Sequence, residues 1–198
     1  MAIKPILFNT EMVRAILDGR KACTRRLPRK QIEEKYLEYE EWVCAVAPPG
    51  STWLSEKEFY EEYPPYQLGD ILYVRETWRG LPVNEAGHFR GHPIYYYRAD
   101  GDLRPEGWRG VWRPSIHMPK EAARIWLKVT DVRVERLQDM TDDDAEAEGC
   151  FDYTSTALGF PDVWDSTIKK SNLDSYGWDA NPWVWVIKFE RCEKPKEV

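Results

Sequence analysis

The chain has 198 residues and a mass of 23.4 kDa, with 42% hydrophobic and 31% charged residues, which is the size and mixture of one globular domain and too apolar for a disordered tail. No run of eighteen residues lacks a charge, and the first apolar stretch is itself interrupted by charges, so the sequence argues against a transmembrane helix and a secretory signal and sets a cytoplasmic location as the expectation. The formal net charge of -6 weighs, taken as an average, against a polyanionic partner, while the aromatic content (ten Trp, eleven Tyr, six Phe) favours strands and stacking surfaces over a helical bundle.

In chain order, IKPILF reads as a strand and NTEMVRAILDG as a short amphipathic helix. Asn9 or Thr10 caps it, Met12, Val13, Ile16 and Leu17 form its apolar stripe, and Gly19 ends it. The basic ACTRR run that follows is short and extended. Residues 31–66 read as an insertion, helical around QIEEKYLEYEEW and irregular through APPG and YPPY. LGDILYVRETW is a central-strand candidate in which Arg75 and Glu76 face opposite sides, and PIYYYRADGD is a strand with a hairpin turn at Asp100 and Gly101. ARIWLKVTDVRVERLQ alternates over its length, as one bent strand or two. TDDDAEAEG is a short helix capped by Thr141, and NPWVWVIKFERC is a closing strand. Residues 79–115 and 150–180 read as loops, and no repeat or linker divides the chain, so one domain over residues 1–198 is expected.

The average charge conceals segregation. Residues 19–30 carry six basic side chains and no acid; residues 31–62 carry nine Glu against Lys35 and Lys57; residues 139–165 carry nine acids and no base; residues 98–136 carry nine bases against six acids. Folding that joins the basic segments would give an acidic protein a basic site. The cysteines Cys23, Cys44, Cys150 and Cys192 form no close pair and read as reduced thiols. His88 and His92 have a metal-like spacing, but Gly87, Gly91 and Pro93 break the helix that would align them, so a loop is the simpler reading and neither a metal nor another cofactor is expected.

GRKACTRR is the first chemical candidate. It reads either as a solvated basic turn or as an anion or nucleotide site in which Arg20, Arg25 and Arg26 offer guanidinium forks. Crowded by those arginines, Lys21 would give up its proton readily, as a general base requires. Lys21 and Thr24 sit three apart and converge only if Lys21 belongs to the turn and Thr24 to the strand beyond it.

The ordered series GRKACTRR, GDILYVRETW, VTDVRVERLQ with TDDDAEAEG, and WVWVIKFERC resembles the ASCH superfamily, and WRPSIHMPKEAARIWL is similar to its long bacteriophage and prophage members. The resemblance spans residues 4–191. It implies an α+β fold, a small mixed PUA-like β-barrel with a few short helices and long loop insertions. It also implies binding of RNA or of a nucleotide or nucleoside in a basic cleft. Compact members remove the acyl group of N4-acetylcytidine, and carrying their site over matches Lys21, Thr24 and Glu148. In that chemistry Lys21 takes the Thr24 proton, the Thr24 hydroxyl attacks the amide carbonyl, Glu148 holds substrate or protonates the leaving amine, and a guanidinium such as Arg26 stabilises the oxyanion. Ala22 departs from the pattern, which often has threonine there. On its own, Glu148 reads as a solvated acid.

The second candidate is WRPSIHMPK. Trp112 and His117 suit base stacking and Arg113 and Lys120 suit phosphates, while a buried Trp and an ordinary loop histidine are the plain alternatives. Glu76 is the residue of RETW expected to line a pocket. Binding of RNA, a nucleotide or a modified nucleoside leads, amidohydrolysis follows closely, and a ribonuclease is third because no His pair offers its acid and base. No membrane partner is expected.

Overall fold

The computed structural model describes residues 1–27, 42–43, 54–81, 94–101, 110–150 and 156–196. The sequence readings at 31–41, Cys44, the APPG run, His88 and His92 lie outside them. Nine strands and five α-helices are assigned within these residues, an α+β arrangement as expected. The principal sheet is five-stranded with the order β1-β5-β8-β9-β2, formed by β1 (Ile3–Leu7), β5 (Ile71–Arg75), β8 (Trp126–Arg136), β9 (Trp183–Cys192) and β2 (Cys23–Arg26). It is mixed: β1 runs parallel to β5, whereas β5 is antiparallel to β8 and β2 is antiparallel to β9.

Packing divides the chain into two compact units, which are interleaved in sequence. The first holds Met1–Lys21, Gly69–Lys128 and Glu190–Val198; the second holds Ala22–Leu68 and Val129–Phe189.

In the first unit, α1 (Thr10–Leu17) starts where Asn9 accepts a hydrogen bond from the Met12 amide at 2.8 Å. It ends at Gly19, whose φ of +77° is a left-handed conformation that glycine adopts without strain. The amides of Arg20 and Lys21 both return to the Ala15 carbonyl, so the helix end fixes where Lys21 leaves the turn. The core gathers Ile71, Trp78, Met118, Ala122, Ala123 and Trp126. Within 79–115, read as loops around a strand at PIYYY, that strand forms as β7 (Ile94–Tyr97) and pairs in a hairpin with β6 (Trp78–Leu81), which the sequence reading did not single out. Asp100 and Gly101 close a 3-10 turn that follows β7, because β7 pairs backwards with β6.

In the second unit, β3 (Trp42–Val43) pairs with β4 (Leu54–Ser55), which leads into α2 (Glu56–Glu62). This helix lies between the APPG and YPPY runs that were read as irregular. β9 is buried on both faces from Val184 to Ile187, which fits its place between β8 and β2. The α3 helix (Asp142–Ala147) begins with a capping box between Thr141 and Asp144. Residues 150–180, read as a loop, contain α4 (Thr156–Thr167) and α5 (Leu173–Tyr176). Gly159 and Pro161 lower the helix propensity of TALGFPDVWDST. Phe160 and Trp164, four apart, overcome it by burying one face against Leu137, Met140, Ala145, Val184 and Val186. Among the described residues no helix is long and apolar enough to cross a membrane.

Candidate functional site

Two polar constellations stand out, one in each unit. The second unit carries the first motif on β2. Alternation on the strand puts Cys23 and Arg25 on one face and Thr24 and Arg26 on the other. The Cys23 and Arg25 face meets α3: the Ala22 amide donates to the Ala147 carbonyl at 2.8 Å, and the Cys23 thiol lies 3.9 Å from the Asp144 carbonyl. Glu148, the residue that caps α3, turns its carboxylate back onto β2. Its Oε1 accepts the Arg25 amide at 2.7 Å and lies 3.4 Å from Arg25 Nη1.

The Arg25 side chain has no exposure at all and is surrounded by acids. Its Nη2 meets Glu135 Oε1 at 2.5 Å and Asp144 Oδ2 at 3.3 Å, and its Nε also donates to Glu135. Arg133 joins the same acids from the other side, donating to Glu135 at 3.0 Å and lying 3.4 Å from Asp144 and 3.3 Å from Asp131. Burial pulls the Arg25 pKa down, but Glu148 and then Glu135 outweigh it and hold the group above its ordinary value. Asp144 is held below the usual carboxylate range: burial raises it, and the Thr141 amide, Arg25 and Arg133 together lower it further. Arg26, half-buried on the opposite face, has its pKa lowered by burial against the opposing fields of Tyr66 and Glu148.

Of the residues singled out from sequence, Thr24, Arg25, Arg26 and Glu148 thus share the second unit, and Glu148 is buried against β2 where a solvated acid was the plain alternative. Thr24 is 3% exposed. Arg133, Glu135 and Asp144 escaped the sequence reading. Their only signal was the i, i+2 placing of Arg133 and Glu135 on one face of a strand, and that becomes meaningful only once Arg25 arrives from residues far away in sequence.

The first unit holds the remaining candidates. Lys21 is 3% exposed, with its Nζ 5.6 Å from the centroid of the Phe8 ring. Arg20 pairs with Asp18 at 2.9 Å at the surface. Glu76 is 1% exposed and both of its oxygens are held by the Arg124 fork, at 2.9 and 3.1 Å. Arg124 also grips Asp100 at 2.7 Å and lies over the Tyr97 ring at 4.0 Å. Burial raises the Glu76 pKa against the pull of Arg124, and burial likewise pushes the Tyr97 phenol up to about 12. The Tyr97 hydroxyl donates to the Ala122 carbonyl at 2.6 Å.

Trp112 is half-buried, with the Arg79 guanidinium 4.2 Å and the Arg98 guanidinium 5.7 Å from its ring centroid. Arg113 is exposed, pairs by its backbone with Trp78, and lies over the Trp78 ring at 5.3 Å. His117 is exposed on a 3-10 turn at Ser115–His117, and Lys120 is half-buried near the Tyr73 ring. Among the described residues no group of three or more His, Cys, Asp or Glu side chains is arranged to hold a metal ion.

No family model matches the chain, and no curated protein matches it. Among solved structures it is similar to an ASCH domain from Lactobacillus crispatus JV V101, at 12% identity and a TM-score of 0.48, over 96% of this chain and 79% of that one.

Proposed function

We propose that the chain is an ASCH-type, PUA-like protein, one functional domain over residues 1–198, that binds a nucleoside or nucleotide, free or within RNA, at its first motif. The observation that carries this reading is the 2.7 Å hydrogen bond from the Arg25 amide to Glu148, which fixes a buried carboxylate on the strand that bears Thr24. Arg20 and Arg25 already have carboxylate partners, so the first motif offers little to a bare phosphate chain. A fixed carboxylate and a hydroxyl suit the donors and acceptors of a base or an amide instead.

The same pair favours a second reading, hydrolysis of an acylated nucleoside. The Thr24 oxygen would attack the acyl carbonyl while Lys21, the base that the resemblance assigns, accepts its proton. Collapse of the tetrahedral intermediate would break the carbon–nitrogen bond, with the proton that Lys21 took from Thr24 passed to the leaving amine, which the Glu148 carboxylate would hold. Water would then release the acyl group from Thr24.

Calorimetric titration of the purified chain with cytidine, N4-acetylcytidine, their monophosphates and a short RNA tests the binding reading, and chromatography of the same mixtures tests turnover. Binding of at least one nucleoside is expected, with acyl release lost in Thr24→Ala and Lys21→Ala. Absence of binding across the panel overturns the first reading; binding without release from any acylated nucleoside overturns the second.

A further inference from the structure

Two groups contrast among the cations of the first unit. Lys4, Arg14, Arg20, Arg124 and Lys128 each have a carboxylate within ion-pair distance. Arg98, Arg113 and Lys120 have none among the described residues, and each lies against an aromatic ring: Arg98 at Trp112, Arg113 at Trp78, Lys120 at Tyr73. Backbone pairing explains why the two arginines are neighbours. Trp78 is registered with Tyr97 on one side and bridged to Arg113 on the other, so Arg98, the residue after Tyr97, and Arg113 flank the same strand. The Arg98 amide donates to the Thr77 carbonyl at 3.0 Å, which fixes the turn that carries its side chain. Arg98 and Arg113 are both exposed.

The adjoining surface is apolar and aromatic. Val111 is 79% exposed and Ile116 58%, and Trp112 stands between Val111 and Arg113 with its ring held against Arg79, itself 1% exposed. Arg75 donates to the carbonyls of Ile116 and Met118, so the 3-10 turn that ends in the exposed His117 is tied to β5. Guanidinium groups without acidic partners, held rings and exposed apolar side chains on one short ribbon are the elements that bind a flexible polyanion carrying planar bases. The cations take phosphates and the rings take bases, with little dependence on sequence.

We propose that the ribbon of Arg98, Trp112 and Arg113, bordered by Val111, Ile116 and His117, is a binding surface for single-stranded nucleic acid. This goes beyond the first-motif reading and does not rest on it. The surface handles a polymer, whereas the first motif handles a single nucleoside.

The test is fluorescence anisotropy of labelled twelve-nucleotide U and dT homopolymers against the full chain over a range of salt concentrations. Binding that weakens with salt is expected. Arg98→Ala with Arg113→Ala should reduce the slope of log K against log salt by about 1.4, since each phosphate contact on a single strand contributes roughly 0.7. Trp112→Ala should weaken binding by about ten-fold while leaving that slope unchanged, and Trp112→Phe should restore most of it. Equal loss for both homopolymers identifies backbone and stacking as the recognised chemistry, and loss for U alone adds the ribose hydroxyl to it. Arg98 and Arg113 are exposed, so their variants should keep the wild-type circular dichroism and the nucleoside titration of the first motif. Absence of oligonucleotide binding at low salt, binding indifferent to the arginine pair, or displacement of the oligonucleotide by poly-glutamate at equal charge concentration overturns the proposal, the last in favour of an acidic protein partner. Failure here with nucleoside binding intact leaves the first-motif reading standing, and the converse leaves this one standing.

Discussion

At the residue scale, Arg25 shows how an apparently ligand-directed side chain becomes part of the scaffold. The sequence marks it as a basic residue of the first motif, and the fold encloses it among Glu148, Glu135 and Asp144. Removing one partner of a buried ion network leaves its acids uncompensated, so Arg25→Ala should destabilise by about 3–5 kcal/mol in urea denaturation. Glu148 was legible as a candidate only through the family resemblance, because nothing local distinguishes it from the other acids of TDDDAEAEG. Its burial depends on a hydrogen bond to an amide more than a hundred residues earlier. Tyr97 supplies a pH signature. Its phenol titrates near 12 in the folded state, above its ordinary value of 10. A raised pKa binds the proton more tightly in the native state, so this contribution to stability is complete below pH 10 and is lost as pH rises through 12. Tyr97→Phe should therefore flatten the alkaline limb of a denaturation series. It should also cost about 1 kcal/mol at neutral pH through the lost bond to Ala122.

At the element scale, the segments with clean periodicity were legible: β1, α1, β5, β8, α3 and β9 all form where alternation or an apolar stripe with a cap places them. β8 resolves one open question, since it runs unbroken from Trp126 to Arg136 through Thr130 and Asp131. α4 was not legible, because local propensity and tertiary burial disagree across Gly159 and Pro161, and propensity was all that the sequence offered. β7 was legible in PIYYY, but its pairing with β6 was obscured by the long connection between the two strands. Two substitutions probe elements around the candidate site. Thr141→Ala removes the capping box of α3 and should cost about 1 kcal/mol in urea denaturation. Gly177 ends α5 where an added Cβ would sit 2.6 Å from the Leu173 carbonyl oxygen. Gly177→Ala should consequently cost on the order of 1–3 kcal/mol and lower the thermal midpoint.

At the scale of the whole molecule, the net charge of -6 is the sum of unlike parts. In the second unit the basic first motif meets acids of the 139–165 segment directly, so much of that basicity is neutralised internally. In the first unit, Arg98 and Arg113 meet no carboxylate among the described residues and are exposed beside aromatic rings. The sequence showed that the charge was segregated, but it could not show which cations pair with which acids. That difference underlies the proposal of a small polar ligand at the first motif and of a polymer at the Arg98, Trp112 and Arg113 ribbon. The central claim is that the first motif itself takes a nucleoside, and a nitrogen-15 resolved titration with cytidine nucleosides tests it most directly by following the Arg25 amide, which is bonded to Glu148. The account predicts that this resonance shifts in a saturable way in the wild type and that the shift is abolished or displaced in Glu148→Gln. Saturable nucleoside binding that leaves the Arg25 amide unmoved would contradict it.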